Sequence, residues 1–262
     1  GIASVLEACI QPPAKEAIEA AVVALKEVGA LDDKELLTPL GVHLAKLPVG
    51  NVRLGKMLIY GVIFRCLTPI LVIAAILTGK SIYRASRDRR EILNQKKKAF
   101  YVSKSDHLTM FKFYRHWKQQ NLFYGVGAAK QYAWENCLSH IALEHIDGIA
   151  KQYKNALREI NFVDQSYNFE SMIAQQAVNE QYDANSNSHK VCKAILCAGL
   201  YPNVIKVKMP KKQYDKTLTG AVERETDSKA IRFYLHPKLN TVSPQQQQEN
   251  LKNNVHWSNG RI

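Results

Sequence analysis

The sequence lacks the short motifs with which proteins commonly bind nucleotides or activate a nucleophile. Its 262 residues contain no GxxxxGK(S/T) phosphate loop, no GxGxxG followed by an acidic residue, no HExxH and no GxSxG. Its eight histidines form no ligand pair, because His140 and His145 stand five residues apart, whereas one helix face needs i,i+3 or i,i+4 spacing. The residues therefore predict neither a catalytic centre nor a metal site.

Cysteine is scarce and suggests no covalent framework. Of the five cysteines, only Cys192 and Cys197 lie near each other, and no histidine adjoins them. That spacing is a weak metal signature, and an odd, scattered set argues against structural disulfides. We expect reduced, buried thiols and therefore a cytoplasmic or nuclear protein.

An uninterrupted apolar run of membrane-spanning character is also missing. Residues 57–77 have about the length that a bilayer requires, but Arg65, Thr68 and Pro69 divide them. A central charge and a helix-stopping proline favour two buried helices, and no membrane partner is predicted. Residues 1–10 resemble no signal peptide, and because they begin in mid-pattern without Met we expect a fragment or processed piece.

Acidic residues are few beside basic ones: 23 Asp+Glu face 36 Lys+Arg, which gives a net charge of +13. Residues 80–130 hold 13 basic and 3 acidic residues, and residues 186–238 hold 11 and 4. The stretch between them, residues 131–185, holds 3 basic and 8 acidic residues. Two separate basic blocks favour a nucleic-acid partner, although either block alone is also compatible with a solvated surface.

The pattern of apolar residues predicts a mainly helical chain. Pro12-Pro13 opens an amphipathic helix that Gly29 caps, and Thr38 before Pro39 caps a shorter helix that Pro48 ends. Helical spacing continues over residues 53–64, 69–78, 87–102, 105–120, 127–145 and 146–159, and a later helix spans 190–200. Alternation predicts strands over residues 204–209 and 230–235. The first part is helix-turn-helix-like in outline, and the central part is a helical bundle.

Several motifs, in order along residues 1–240, resemble the region that follows the motor domains of DEAH/RHA-type ATP-dependent RNA helicases. They are Gly-Ala-Leu at residues 29–31, Leu-Thr-Pro-Leu-Gly at 37–41, Leu-Pro at 47–48, Arg-Leu-Gly-Lys-Met at 53–57, Ser-Asp-His-Leu-Thr at 105–109 with Trp117, Trp134 with Asn-Cys-Leu-Ser at 136–139, Leu-Cys-Ala-Gly-Leu-Tyr-Pro-Asn-Val at 196–204 and His-Pro at 236–237.

The resemblance implies a fold that is mainly α: a degenerate winged helix, a ratchet-like helical bundle and a smaller β-rich OB-fold. The implied limits are residues 1–11 for the tail of a motor domain, 12–50 for the winged helix, 51–185 for the bundle and 186–262 for the OB-fold. The last module departs from the family, because Lys238-Leu239 follow His236-Pro237 where the family has two serines. Its final strands are also unrecognisable beyond residues 255–257, so we expect an incomplete or divergent OB-fold.

The function implied by the resemblance is that of an accessory region of an RNA helicase, an NTP hydrolase. Such a region forms part of a channel for single-stranded RNA. ATP and magnesium would be bound by RecA-like motor domains in cis, which this chain lacks, so no activity is expected from it alone. The winged-helix surface also resembles the docking site of a glycine-rich-patch activator protein.

Candidate contact residues come from the basic blocks and from the family motifs. For the RNA they are Lys96, Lys97, Lys98, Ser105, Asp106, His107, Asn136, Tyr201, Asn203, Lys206, Lys208, Arg232 and His236. Structural roles stay open for four of these: Asp106 as an N-cap, for which Ser105 is the alternative, Asn136 in packing, and Tyr201 and Asn203 in a rigid turn. Arg53 and Lys56 are expected at an interdomain contact.

Two other functions are compatible with parts of the sequence. The winged helix and bundle resemble a non-catalytic scaffold for protein–protein interaction as well. A winged-helix regulator that binds DNA is disfavoured, because residues 1–50 carry 4 basic and 7 acidic residues where a recognition helix should be basic.

Overall fold

The computed structural model describes residues 5–6, 8–175, 179–203, 205–208, 210, 214–217, 220–223 and 232–235. The chain divides into two compact units, residues 1–199 and 200–262. The described helices are α1 (Lys15–Val28), α2 (Pro39–Lys46), α3 (Val52–Ile63), α4 (Leu67–Thr78), α5 (Arg90–Phe100), α6 (Asp106–Glu135), α7 (His140–Glu159), α8 (Phe169–Ala174), α9 (Glu180–Asp183) and α10 (His189–Leu200). The mainly helical fold class is therefore confirmed.

The helix ends predicted for the first part of the chain are confirmed. Gly29 closes α1 in the left-handed conformation, with φ of 84°. The Thr38 hydroxyl accepts a hydrogen bond from the Gly41 N–H at 3.0 Å and donates one to the Gly29 carbonyl at 2.6 Å. One side chain thus caps α2 and fastens it to the end of α1.

The apolar stretch forms two helices, as predicted. Helix α3 ends at Ile63, α4 begins at Leu67, and every residue from Leu67 to Ile76 is buried. Helix α4 packs against α3, α6, α7 and α8 and is therefore the centre of the bundle. Among the described residues, no helix is long and apolar enough to cross a membrane.

Helix α6 is a hairpin of two helical halves rather than one rod. Gly125 has a non-helical backbone with φ of 85° and ψ of 177°. The rings of His116 and Tyr132 lie 6.4 Å apart, whereas a straight helix would separate them by roughly 24 Å at 1.5 Å per residue. The chain therefore reverses at Gly125.

The boundary predicted between residues 145 and 146, which separated helices 127–145 and 146–159, is wrong. The second half of α6 ends at Glu135, and α7 runs unbroken through residues 145 and 146. The break lies at residues 136–139, where Cys137 has φ of 54° and the Ser139 hydroxyl caps α7 by accepting from the Ala142 N–H. Apolar periodicity continues across this break, so periodicity alone did not mark it.

Replacing Gly125 by Ala is expected to lower the free energy of unfolding by about 1–3 kcal/mol, because its φ and ψ are nearly restricted to glycine. Apart from its chain neighbours and its own helix backbone, no atom of the described residues lies within 4 Å of a Cβ added there, so the cost is conformational rather than steric. Gly127 is the matched control, since its surroundings are equally open and its φ is not positive. Gly127→Ala should be neutral or stabilising by up to about 1 kcal/mol. Urea denaturation of both variants measures the difference, and equal effects would contradict the explanation.

The described part of the second unit contains strands β1 (Ile205–Lys208), β2 (Tyr214–Thr217), β3 (Gly220–Glu223) and β4 (Arg232–Leu235). Strand β1 pairs antiparallel with β4, and β2 pairs antiparallel with β3. Strands β1 and β4 confirm the described parts of the two strands predicted over residues 204–209 and 230–235. These pairs do not establish an OB-fold, which stays a prediction, and residues 236–239 and 255–257 lie outside the described residues.

All five cysteines are free thiols. Cys66, Cys137 and Cys192 are buried, as predicted, but Cys9 and Cys197 are exposed. The prediction of burial is therefore wrong for these two. Cys197 lies on the exposed face of α10, because the buried face of that helix carries Ile195, Leu196 and Gly199.

Candidate nucleic-acid interface

The turn between α5 and α6 is held in an unusual backbone conformation. Ser103 and Lys104 have φ of 50° and 55°, in the left-handed region. Helix α10 supports the turn: the Ser103 hydroxyl is hydrogen-bonded to His189 Nδ1 at 3.0 Å, and Lys193 Nζ donates to the Ser103 carbonyl at 3.2 Å. We call residues 96–107 together with 189–193 the α5–α6 turn surface.

Helix α6 begins at the centre of this surface. Ser105 is its N-cap, since the Ser105 hydroxyl accepts from the Leu108 N–H at 3.4 Å. Asp106 is exposed in the first turn and is not the cap. His107 is half-buried, and burial lowers its pKa, although the charge of Asp106 acts in the opposite direction. His107 therefore presents a mostly neutral donor at the positive end of a helix, where anions bind favourably.

The three predicted lysines of α5 occupy different environments. Lys97 lies with Nζ 4.0 Å from the centroid of the Tyr83 ring, and burial lowers its pKa against the opposing charge of Asp106. Lys96 is half-buried and Lys98 is exposed. Consecutive residues on a helix point about 100° apart, so the three cations cannot all face one ligand.

Asn136 does not face solvent. Only 4% of it is exposed, and its Nδ2 donates to the Tyr132 carbonyl at 2.8 Å. It is the C-cap residue of α6. Of its two predicted roles, the structure favours packing.

Arg53 and Lys56 lie between α3 and α1. Arg53 Nη2 is 4.0 Å from a Glu27 carboxylate oxygen, and Lys56 Nζ donates to the Val28 carbonyl at 2.8 Å. A lysine at the carboxyl end of α1 also complements the helix dipole. These two residues therefore link the predicted winged helix to the bundle.

The candidates of the second unit are described in part. Lys206 and Lys208 lie in β1, where Lys206 pairs with Tyr234 and Lys208 with Arg232 in the register of β1 and β4. Lys208 and Asn203 are exposed, and Tyr201 is 41% exposed. His236 lies outside the described residues.

Sequence reasoning missed three cations of the α5–α6 turn surface. Lys104, Lys190 and Lys193 are exposed on or beside the turn that carries the start of α6. Their signal was present, because Lys190 and Lys193 have i,i+3 spacing at the start of the second basic block. The sequence could not show that α10 packs against a turn almost 90 residues earlier in the chain. The hydrogen bond between His189 and Ser103 reveals this contact.

The arrangement suits binding rather than catalysis. It combines lysine ammonium groups, hydroxyl and imidazole donors and a helix N-terminus. These are groups that contact phosphates. Within the described ranges, no group of three or more His, Cys, Asp and Glu side chains could hold a metal ion.

Two protein-family models match the first unit. Residues 21–49 match the winged-helix model of the helicase associated domain (HA2), and residues 51–110 match its ratchet-like model. The first match covers α2 and most of α1, and the second extends from α3 to the first turns of α6.

Known helicases resemble most of the chain. It is 38% identical over 230 residues to the putative ATP-dependent RNA helicase DHX57 of Homo sapiens, covering 85% of the chain and 16% of that protein. It is 38% identical over 208 residues to the DExH-box ATP-dependent RNA helicase DExH1 of Arabidopsis thaliana, covering 79% and 19%. The ATP-dependent DNA/RNA helicase DHX36 of Homo sapiens is 35% identical over 210 residues, covering 80% and 20%. The chain thus spans less than a quarter of the length of these relatives.

Proposed function

Because this chain carries the helicase-associated winged-helix and ratchet-like domains of DExH-type RNA helicases, we propose that it is an accessory region that binds single-stranded RNA beside the motor domains of such an enzyme. ATP and magnesium belong, in this proposal, to the motor domains of a longer protein. The chain by itself binds RNA and hydrolyses no ATP.

The observation that carries the proposal is the α5–α6 turn surface. Lys98 near the end of α5, Lys104 in the turn before α6 and Lys190 at the start of α10 are exposed, and none of them forms a salt bridge with a described carboxylate. Cations without protein partners at a helix N-terminus fit a phosphate backbone and read no base sequence. This matches an accessory surface that must accept any sequence passing along it.

Reversing the charge of these lysines is expected to weaken RNA binding. In the triple variant Lys98→Glu, Lys104→Glu, Lys190→Glu, affinity for a labelled single-stranded oligouridine should fall at least about tenfold at low salt. The slope of log K against log salt should become less steep by about 2, since each phosphate contact contributes roughly 0.7 for single strands. Fluorescence anisotropy of the full chain across a salt series measures both quantities.

A matched control changes the net charge equally elsewhere. Lys15, Lys34 and Lys46 are exposed in the acidic first 50 residues, and their triple change to Glu should leave the salt slope nearly unaltered. Equal weakening by both triple variants would show that only net charge matters and would contradict a site at the α5–α6 turn surface. ATP turnover by the purified chain would contradict the assignment of the ATPase to other domains.

A further inference from the structure

A tryptophan near the end of α6 is unusually exposed. Trp134 is 67% exposed, although tryptophan is highly buried on average. The Arg89 guanidinium carbon lies 4.2 Å from the centroid of its ring. A cation therefore covers one side of the indole, and the exposed fraction leaves much of the rest of the ring open to solvent.

Arg89 is fixed in this position by its own hydrogen bonds. Its Nη2 donates to the Trp134 carbonyl at 2.8 Å, and its backbone N–H donates to the Ser86 carbonyl at 3.1 Å. The guanidinium thus stacks on the ring and is tied to the backbone of the same residue. An aromatic ring backed in this way is preorganised, so that a further flat group can stack on it at little entropic cost.

The segment that carries Arg89 is joined to the end of α6 along its length. The Ser139 N–H donates to the Ile82 carbonyl at 2.8 Å, and the Arg84 N–H donates to the Cys137 carbonyl at 2.9 Å. These bonds hold the segment beside residues 134–139. The fold therefore fixes the backbone of this segment relative to the end of α6.

This segment, residues 80–90, is strongly basic, and we call it the arginine loop. It contains five basic residues, Lys80, Arg84, Arg87, Arg89 and Arg90, and one acidic residue, Asp88. Arg84, Arg87 and Arg90 are exposed. In the part of the chain that the structure describes, they form no salt bridge with a carboxylate.

We propose that Trp134 is a stacking platform for one base of single-stranded nucleic acid, with the arginines of the arginine loop contacting the phosphates on either side. The inference rests on the proposed function and adds a base-contacting site to it. Exposed arginines in the loop whose Arg89 backs the ring suit a polynucleotide, which offers alternating flat bases and negative charges. Lys97, whose ammonium lies over the ring of Tyr83 in the arginine loop, also belongs to the α5–α6 turn surface.

Substitution of Trp134 separates stacking from charge. In the full chain, Trp134→Ala should weaken binding of an oligouridine about 5- to 150-fold, the range for loss of one base–aromatic stack. Trp134→Phe should retain most of the affinity because a ring remains. Neither variant should alter binding of an abasic oligonucleotide of equal length, which has the phosphates but no bases.

Tyr124→Ala is the control. Tyr124 is 73% exposed next to Gly125 and lies in an uncharged stretch, residues 119–129. This variant should bind the oligouridine like the unmodified chain. Unchanged binding by Trp134→Ala, or equal loss for the oligouridine and the abasic strand, overturns the platform. If the lysine triple variant still weakens binding in that case, the proposed function stands without it. Failure of the unmodified chain to bind either strand overturns both.

Discussion

Replacing Asp147 by Ala is expected to lower the free energy of unfolding by about 3–5 kcal/mol, the usual cost of leaving one member of a buried ion pair alone. The stranded group is Lys118, of which only 4% is exposed. Lys118 Nζ donates to Asp147 at 2.9 Å, and the Tyr114 hydroxyl donates to the other carboxylate oxygen at 2.6 Å. Within the described residues Lys118 has no other ion-pair partner.

The same pair predicts how stability depends on pH. Burial acts to raise the pKa of Asp147, but hydrogen bonds from Lys118 and Tyr114 outweigh it and hold the pKa below its usual value. A carboxyl group with a lower pKa in the folded state stabilises the fold above its unfolded pKa of about 3.9. This contribution is lost as pH falls through the folded value. The difference between the unmodified chain and Asp147→Ala should therefore be large at pH 7 and shrink in strong acid.

Two further variants test the cause of this effect. Glu170 is the control, because it pairs with Lys151 at 3.0 Å while both side chains are at least 40% exposed. Glu170→Ala should cost less than about 1 kcal/mol. Adding Lys118→Met to Asp147→Ala removes the stranded charge and should recover much of the lost stability in urea denaturation. No recovery would mean that the carboxylate matters for packing rather than for charge.

The sequence predicts local structure well where one residue type has one physical role. The cap at Thr38 and the turn at Gly29 follow from side-chain hydrogen bonding and backbone freedom near the residue itself. Gly125 shows the limit. The predicted helices over residues 105–120 and 127–145 leave a gap that contains Gly125, but only the contact of the two halves shows that the chain reverses there.

Long-range pairs explain why the candidate site was predicted incompletely. The basic composition of residues 80–130 pointed to the part of the chain where we propose the site. It could not show that Lys97 is engaged with Tyr83 or that Arg89 stacks on Trp134, 45 residues away. Composition counts charges, whereas a site depends on which of them the fold leaves without a partner. That information exists only once helices pack.

Asp183 provides the clearest case of such a long-range contact. Helix α4 begins after Cys66, whose side chain makes no capping hydrogen bond. Asp183 takes over that role from 115 residues away: its carboxylate accepts from the Thr68 N–H at 2.7 Å and from the Thr68 hydroxyl at 2.8 Å. The Ser186 hydroxyl donates to the same carboxylate, and only 2% of Asp183 is exposed. The central helix of the bundle is thus capped by α9.

Replacing Asp183 by Ala is expected to lower the free energy of unfolding by about 3–5 kcal/mol. The loss combines a helix cap, about 1–2 kcal/mol, with buried donors left unsatisfied at about 1–3 kcal/mol each. Ser186→Ala removes one donor and keeps the cap, so it should cost only about 1 kcal/mol. Urea denaturation at pH 7 compares the two, and a loss below about 1.5 kcal/mol for Asp183→Ala would contradict the capping role.

The pH dependence of Asp183 should be opposite to that of Asp147. Burial raises the pKa of Asp183 despite the hydrogen bonds from Ser186 and Thr68. A carboxyl group with a higher pKa in the folded state favours folding most below its unfolded pKa and loses that contribution as pH rises through the folded value. The destabilisation by Asp183→Ala should therefore be greater at pH 4 than at pH 7, whereas that by Asp147→Ala should be greater at pH 7. Urea denaturation of both variants at these two pH values is the test. Opposite trends are expected if Lys118 lowers the pKa of Asp147 and burial raises the pKa of Asp183, and equal trends would contradict one of the two explanations.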